Sequence, residues 1–420
     1  MSDRFSELSP SKIIFYSLII GLALRITIGI PYTYPIEDNY WILASTNFTA
    51  GQGLYGLPGY YYFPSWGYVL SIITFVANKA GIGYGHYGDF GTAIKDCDVV
   101  IPSLGYSTLF LIVLIILDVL VGYLIYRIGC RITTERRAAI MFAVWFLCPI
   151  TIMMSSVRLM FENFEIMLML LALLFMMDRK NFVSGLFMGT CLLSKQFGVF
   201  MAVLMSGYSY AHSHSLRGIL EYFLGILVSV AVLMFPILLM GDLAESLHWL
   251  TSRMDSGVGS SGGSLFNVNL ILMPLLGILT LFSAYHVARS KEENIGTISL
   301  LALLPLVVML ILAGNVQYYL FVLPFLVLAL NRWTMVPTFF MLSVLGIMSL
   351  ICFITTCSST FVDSGFFGAD VIESITSWFS PAESHRTFYE HWKMATGAVL
   401  TIVVAGALYF RYRGPALESE

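Results

Sequence analysis

The sequence predicts an all-α polytopic membrane protein, and three observations support that prediction. Of the 420 residues, 58% are hydrophobic and only 11% are charged, whereas a soluble domain contains about 25% charged residues. Apolar runs of about 18 residues recur along the whole chain, which is the length that a helix needs to cross a bilayer. The basic residues gather in short segments between alternate runs. We therefore expect residues 1–420 to form a single bundle of about twelve transmembrane helices.

The apolar runs define the expected spans. They lie at 13–30, 104–126, 138–155, 162–178, 182–194, 197–211, 218–240, 268–286, 297–313, 317–330, 334–356 and 394–410. The runs at 182–194 and 197–211 are short and flank a polar turn, which predicts a pair of half-length helices. Arg25 and Asp118 are charges inside expected spans, and an ion pair between them is possible.

The distribution of basic residues predicts the orientation. With the N-terminus in the cytoplasm, 14 of the 22 Lys and Arg residues face the cytoplasm, as the positive-inside rule requires. A span at Trp66–Ala80 would instead place the Arg127–Arg137 cluster outside. We therefore expect residues 31–103 to form one large outer loop, in which Tyr40–Phe48 and Trp66–Ala80 are interfacial helices.

The composition argues against several classes of function. The net charge of −3 says little about partners, because basic and acidic residues are expected on opposite sides of the membrane. We expect no nucleic-acid partner. The cytoplasmic segments lack a phosphate-binding glycine loop, and Ser256–Ser264 is interpreted as a flexible outer tether. The six cysteines show no metal-ligand spacing. We therefore expect neither a bound metal nor a cofactor.

Two adjacent carboxylates follow the first apolar run. Glu37 and Asp38 are the only charges of the segment Pro35–Pro64. A catalytic base that serves a lipid-linked donor and a polar acceptor must lie just outside the hydrocarbon, and a carboxylate here would do so. The alternative is an ordinary solvated acidic pair. The aromatic residues at 60–66 are expected in the lipid headgroup region, where a ring buries one face and keeps a polar edge wet.

A single lysine lies between the two half-length helices on the outer side. Lys195 occurs in the sequence LLSKQFG, and a charge at membrane depth costs about 2.5–3.5 kcal/mol on insertion scales. One interpretation is that Lys195 binds a phosphate, helped by the dipole of the helix that follows. The alternative is a lysine that snorkels from a short outer turn.

Other residues of the outer segments are candidates for binding an anionic donor or a sugar. Arg158 lies four residues before Glu162, so it either forms a local ion pair with Glu162, which we favour, or binds phosphate oxygens. Gln317 begins a span from the outer side and is placed to hydrogen-bond an acceptor. The remaining candidates, each equally compatible with an ordinary interfacial role, are Arg253, His385, Arg386 and His391.

The first outer loop carries a recognisable series of residues. The series comprises Asp38, Tyr40, Ala44, Gly51 or Gly53, Leu54, Tyr55, Tyr62, Phe63 and Pro64. It resembles the loop of GT-C glycosyltransferases, most closely that of the polyprenyl-phosphate-mannose-dependent mannosyltransferases of glycosyltransferase family 87. Lys195-Gln196 is similar to a Lys-Pro-Gln turn of that family, without the proline. A related Asp-x-Asp-Tyr loop corresponds here to residues 37–40, so either Glu37 or Asp38 matches the acidic residue.

The resemblance implies a GT-C fold with an active site in the outer loop 31–103. It implies transfer of a hexose, mannose in that family, from a polyprenyl- or dolichyl-phosphate donor to a lipid-linked or glycan acceptor, with inversion. The implied catalytic residue is Asp38 or Glu37. Together with the candidates from the outer segments, the expected donor-phosphate ligands are Lys195, Arg158, Arg386 and Arg253. The expected substrate-binding residues are Tyr40, Tyr62, Gln196, Gln317, His385 and His391.

Three other functions remain open. A polytopic lipid or solute transporter or flippase usually contains repeats, and no repeat is evident in this sequence. A protein O-glycosyltransferase or oligosaccharyltransferase-like enzyme shares the plan with a different acceptor, and a non-catalytic membrane scaffold is also possible. We expect an archaeal or bacterial cell membrane, with the active site on the extracytoplasmic side. The sequence leaves the oligomeric state open.

Overall fold

The computed structural model describes most of the chain. The described residues are 8–31, 35–55, 60, 62–88, 99–195, 197–244, 246, 268–289, 302, 316–329, 332–356, 370–371, 374, 377 and 382–413. Within these ranges, the side chains at 35–40, 86–88, 99–101, 268–273, 332–335, 353–356, 382–386, 408 and 410–413 lie outside the description.

The elements of the first half are helices and one short hairpin. They are α1 Pro10–Gly29, α2 Pro35–Thr49, α3 Pro64–Lys79, β1 Gly85–Gly88, β2 Val99–Pro102, α4 Leu104–Ile132, α5 Glu135–Leu147, α6 Pro149–Ile152 with the π-helical turn Met153–Val157, α7 Glu162–Met177 and α8 Asn181–Leu192. The second half continues with helices alone among the described residues. They are α9 Gly198–Ser213, α10 Leu216–Met240, α11 Val268–Arg289, the 3₁₀ turn Val316–Tyr318, α12 Tyr319–Ala329, α13 Arg332–Thr356 and α14 Ala382–Arg413.

The expected spans within the described residues are helical, although the one at 138–155 is broken at Cys148, and the span expected at 297–313 lies outside them except for residue 302. Of the described helices, α1, α4 and α10 are long and apolar enough to cross a membrane, and the bent pair formed by α5 and the segment Pro149–Val157 makes a fourth if it counts as one span. These are the features of a helical membrane protein. The two segments expected to be interfacial helices are helical, and they form α2 and α3.

The bend between α5 and α6 has a local cause. The two helices meet at 47°, and Pro149 is the first residue of α6. A proline cannot donate a helical hydrogen bond, and its ring disfavours helical geometry at the preceding residue. Cys148 accordingly has extended φ and ψ of −64° and 124°. The bend directs the π-helical turn towards the start of α7.

A buried ion pair fastens the first helices to one another. The Nε of Arg25 in α1 donates to Asp118 Oδ2 in α4 at 2.7 Å, and both side chains are fully buried. Arg25 Nη1 also donates to the carbonyl of Phe146 in α5 at 2.8 Å. Asp118 accepts further hydrogen bonds from Ser155 and Asn163. The pair that the sequence allowed is confirmed, and it joins α1, α4 and α5 to the π-helical turn and α7.

The described part of residues 31–103 contains a small sheet that an all-α fold does not include. β1 and β2 pair antiparallel, with Gly85 opposite Pro102 and Gly88 opposite Val99. The run Val99–Ile101 consists of β-branched residues, which suit extended backbone. The Oγ of Ser103 then accepts from the N–H of Tyr106 and caps α4. The hairpin therefore connects the outer loop to the start of α4.

Candidate functional site

A buried ion pair lies where α7 begins and where α8 passes into α9. Lys195 occupies the turn between α8 and α9, and its Nζ donates to Glu162 Oε1 at the first turn of α7. The Lys195 side chain is 6% exposed and that of Glu162 is 0% exposed. Lys195 is therefore not a snorkelling lysine in a wet turn, because its charge is compensated within the protein.

Aromatic rings cover the ammonium group. Lys195 Nζ lies 4.2 Å from the ring centroid of Phe161 and 5.0 Å from that of Tyr62, both within the range of cation–π attraction. Burial by itself would lower the pKa of Lys195. The Glu162 carboxylate, with Tyr62 and Tyr318, more than offsets burial, so the pKa lies above its ordinary value. Lys195 therefore stays positively charged throughout the physiological range.

A second carboxylate lies one turn further along α7. Glu165 is fully buried, and its Oε1 accepts from the backbone N–H of Gly198 at 2.9 Å. Gly198 is the first residue of α9, where free N–H groups and the helix dipole favour a negative group. We call Glu162, Glu165 and Lys195 the buried triad.

The segment that contains Ser65 and Trp66 docks directly on the turn that carries Lys195. The backbone N–H of Ser65 donates to the carbonyl of Leu193 at 2.9 Å, and the Ser65 hydroxyl donates to the same carbonyl at 2.6 Å. The ring of Trp66 stacks on Phe161 at 4.6 Å with an interplanar angle of 6°. Two segments that are about 130 residues apart in sequence are thereby fixed side by side.

Helix α2 packs against the same aromatic cluster. The ring of Trp41 lies 5.1 Å from Phe110 and 5.9 Å from Phe161, the residue under Lys195. Glu37 and Asp38 belong to the first turn of α2, and Asp38 is one helical turn before Trp41. Their side chains, and that of Tyr40, lie outside the described residues. The backbone of the acidic pair is thus held at the end of the bundle where the buried triad lies.

Three of the loop aromatics, Tyr60, Tyr62 and Trp66, are buried in protein, so the prediction of a ring with one wet polar edge is wrong for these three. Tyr60 is 1% exposed and Trp66 is 0% exposed. The Tyr60 hydroxyl donates to the carbonyl of Phe63 at 2.9 Å, and that of Tyr55 donates to the carbonyl of Tyr62 at 2.8 Å. These hydrogen bonds replace the water that a headgroup position would supply.

The expected pairing of Arg158 with Glu162 is also wrong, because Glu162 pairs with Lys195. Arg158 ends the π-helical turn, and the next residue, Leu159, has a left-handed φ of 50°. The chain therefore changes direction before α7 begins, so the spacing of four residues does not bring the two side chains together. Burial raises the pKa of Tyr389 in α14, and the nearby charge of Arg158 partly opposes that rise.

The other candidate residues divide into two groups. Gln317 is buried in the 3₁₀ turn before α12, and its neighbour Tyr318 packs on Phe197, with ring centroids 4.5 Å apart, next to Lys195. His391 is exposed on α14. Gln196 and Arg253 lie outside the described residues, and only the backbone of His385 and Arg386 is described, within α14. The sequence interpretation did not include Glu165, although two carboxylates three residues apart in an apolar helix were a usable signal.

The turn at Gly53 packs against the carboxylate of Asp242, which lies just after the end of α10. A Cβ added to Gly53 would lie 1.9 Å from Asp242 Oδ2, and the φ of Gly53 is +86°. Gly51 has a similar φ of +78°, but a Cβ there would meet nothing within 4 Å. Substitution of Gly51 would therefore cost only backbone strain, whereas substitution of Gly53 would cost backbone strain and a steric overlap with Asp242.

We expect Gly53→Ala to destabilise the protein more than Gly51→Ala. Both substitutions impose the left-handed strain of about 1–2 kcal/mol, but only Gly53→Ala must also displace Asp242. Thermal unfolding of the two purified variants in the same detergent measures the difference. Equal losses would show that the Asp242 contact does not hold the turn, whereas adding Asp242→Ala to Gly53→Ala should recover part of the loss.

Among the described residues, no group of three or more His, Cys, Asp or Glu side chains is arranged to hold a metal ion. The buried triad instead presents one ammonium and two carboxylates, with tyrosine and phenylalanine rings above them. Such a set can bind an anion at Lys195 or hold a proton on a carboxylate. No protein-family model matches the sequence, and no curated protein matches it at a significant level.

Proposed function

We propose that the protein is a membrane glycosyltransferase that moves a hexose, mannose by resemblance, from a polyprenyl-phosphate or dolichyl-phosphate donor to a hydroxyl of a lipid-linked or glycan acceptor. The single observation that carries this proposal is the docking of the first outer loop on the Lys195 turn through Ser65 and Leu193. The segment with a candidate base and the segment with a candidate phosphate ligand are thereby neighbours. Those are the two components that this reaction requires.

The proposed chemistry is a single displacement at the anomeric carbon. Asp38 takes the proton of the acceptor hydroxyl while the acceptor oxygen forms a bond to C1 of the hexose. The bond between C1 and the lipid phosphate oxygen breaks, and its electron pair leaves with the phosphate. Attack from the face opposite the leaving group inverts the anomeric centre. Because a phosphate is a good leaving group, the step needs no general acid.

Positive groups at the outer side would hold the donor phosphate. Lys195 is the principal candidate because it stays charged and lies on the turn on which the loop segment docks. Arg158, Arg253 and Arg386 are further proposed ligands, since guanidinium groups bind phosphate oxygens in pairs. Tyr62, over the ammonium, would bound the site on the loop side.

We also propose a number of transmembrane helices and an orientation in the membrane. It consists of about twelve transmembrane helices, with the loop 31–103 and its active site on the extracytoplasmic side of an archaeal or bacterial cell membrane. The three or four helices with the length and apolarity of spans support a membrane location. The remaining spans and the sidedness rest on the apolar runs and on the distribution of basic residues.

A donor-consumption assay tests the proposed function. The purified protein in lipid nanodiscs is incubated with polyprenyl-phosphate mannose, glucose or galactose labelled in the sugar, with a total lipid extract as the source of acceptor. We expect one donor to be consumed, with release of polyprenyl phosphate and appearance of a labelled glycolipid. A parallel assay follows translocation of a fluorescent polyprenyl phosphate across liposomes. Translocation without consumption of any donor would contradict the proposal and favour a flippase.

A further inference from the structure

The buried triad has an unequal number of charges. Glu162 and Glu165 are each 0% exposed, and Lys195 is 6% exposed. Removing an unpaired carboxylate from water costs several kcal/mol, and a buried carboxylate without a cation usually takes up a proton instead. One ammonium can compensate one carboxylate, and the ion pair assigns it to Glu162.

Within the described residues, Lys195 is the cation that forms an ion pair with Glu162. Cys191 of α8 lies near Glu165, and the titratable groups on the loop and α12 sides are Tyr62 and Tyr318. On the α4 side the charge of Asp118 is matched by Arg25. The charge of Arg158 lies near Tyr389 in α14 and partly opposes the rise in the pKa of that tyrosine. Glu162 therefore depends on Lys195 for its compensation.

The hydrogen-bond capacity of the triad is incompletely used. Glu162 Oε2, Glu165 Oε2 and Ser194 Oγ are buried and have no hydrogen-bond partner among the described residues. Glu165 Oε1 accepts from the backbone N–H of Gly198, a contact that does not involve Lys195. The contact between Glu162 and Lys195 is the one that an arriving anion would break.

We propose that Glu162 takes up one proton when the donor's phosphate binds to Lys195. This inference rests on the proposed function, because it assigns the donor phosphate to Lys195. A phosphodiester oxygen at Nζ replaces Glu162 Oε1, and the released carboxylate, buried and without its cation, becomes a neutral acid. The proton comes from bulk solvent and returns there when the phosphate leaves. Glu162 thus holds Lys195 in place before the donor arrives and makes donor affinity depend on pH.

The sign of the dependence follows from linkage. If the complex holds one more proton than the free protein, affinity increases as pH falls, and Kd rises about tenfold for each unit of pH increase. The relation holds over the range in which Glu162 is charged in the free protein and neutral in the complex. A phosphodiester donor has no titration of its own near neutral pH, so the dependence comes from the protein.

Binding of farnesyl-phosphoryl mannose to the Asp38→Asn protein in nanodiscs tests the inference, since this background removes Asp38 as a source of titration. We expect Kd to rise with pH, with a limiting slope of about tenfold per pH unit, and uptake of one proton seen by calorimetry in two buffers of different ionisation enthalpy. Glu162→Gln should bind with a Kd that does not change with pH. Glu165→Gln is the matched control on the same helix and should keep the dependence.

The possible outcomes separate this inference from the proposed function. A Kd independent of pH, an unchanged dependence in Glu162→Gln, or no binding at any pH would overturn the inference. The calorimetric measurement needs only the Asp38→Asn protein, so it decides even if Glu162→Gln does not fold. If donor binding does not depend on pH but the native protein transfers sugar, the inference is overturned and the proposed function stands. If donor binding takes up a proton but the native protein transfers sugar from none of the hexose donors, the proposed function is overturned and the inference stands.

Discussion

Asp38→Asn is expected to lower the rate of sugar transfer by about 10²–10⁴-fold, the contribution of a positioned general base. An amide cannot accept the proton of the acceptor hydroxyl, whereas it occupies almost the same volume as the carboxyl group. The loss should therefore appear in kcat, with little change in the affinity for the donor. Initial rates of release of polyprenyl phosphate, measured over a range of donor concentrations, separate the two quantities.

Glu37→Gln is the matched control for this prediction. It removes the adjacent charge from the same helical turn of α2, and successive helical residues project about 100° apart, so the two carboxylates cannot serve one acceptor equally. We expect Glu37→Gln to keep most of the transfer rate. Full turnover by Asp38→Asn would remove Asp38 from the mechanism, and loss of activity only in Glu37→Gln would assign the base to Glu37.

Arg25→Met is expected to destabilise the fold by about 3–5 kcal/mol, the usual effect of removing one partner of a buried ion pair. The substitution leaves the Asp118 carboxylate, which is fully buried, without its cation. It also removes the hydrogen bond from Arg25 to the carbonyl of Phe146. Thermal and denaturant unfolding of the purified protein in detergent, followed by tryptophan fluorescence, measures the loss.

Two variants make the second prediction specific. Arg217→Met removes an ion pair with Glu221 whose arginine is 86% exposed, and we expect only a small change there because water screens such pairs. The double variant Arg25→Met with Asp118→Leu removes both buried charges and should be more stable than Arg25→Met alone. A single variant as stable as the native protein would show that the pair does not hold α1 to α4.

The elements that the sequence predicts well depend on strong local or environmental constraints. The helices follow from apolar runs, and the break at Cys148 follows from Pro149. The pairing of Arg25 with Asp118 could be anticipated because an isolated charge among apolar helices needs a partner, and each of these residues lies in an expected span. In these cases few other structures would bury the apolar residues, accommodate the proline or compensate the buried charge.

The candidate site was predicted only in part, because its contacts are not local. Sequence spacing suggested that Glu162 pairs with Arg158, whereas the turn at Leu159 separates them and the fold brings Lys195 to Glu162. From sequence alone, Trp66 suits a position in the lipid headgroups as well as it suits a buried aromatic cluster. Only its stacking on Phe161, a contact between distant parts of the chain, shows that it is buried. Local patterns identified Lys195 as unusual but could not identify its partner.

The most direct test of the central claim is an experimental structure of the protein in a lipid nanodisc with a non-hydrolysable polyprenyl-phosphate sugar bound. The account predicts that a phosphate oxygen lies within about 4 Å of Lys195 Nζ, with the sugar directed towards the first turn of α2 and Glu162 released from the lysine. A headgroup bound at the opposite end of the bundle, beside Arg131 and Asp178, which form an ion pair there, would contradict it.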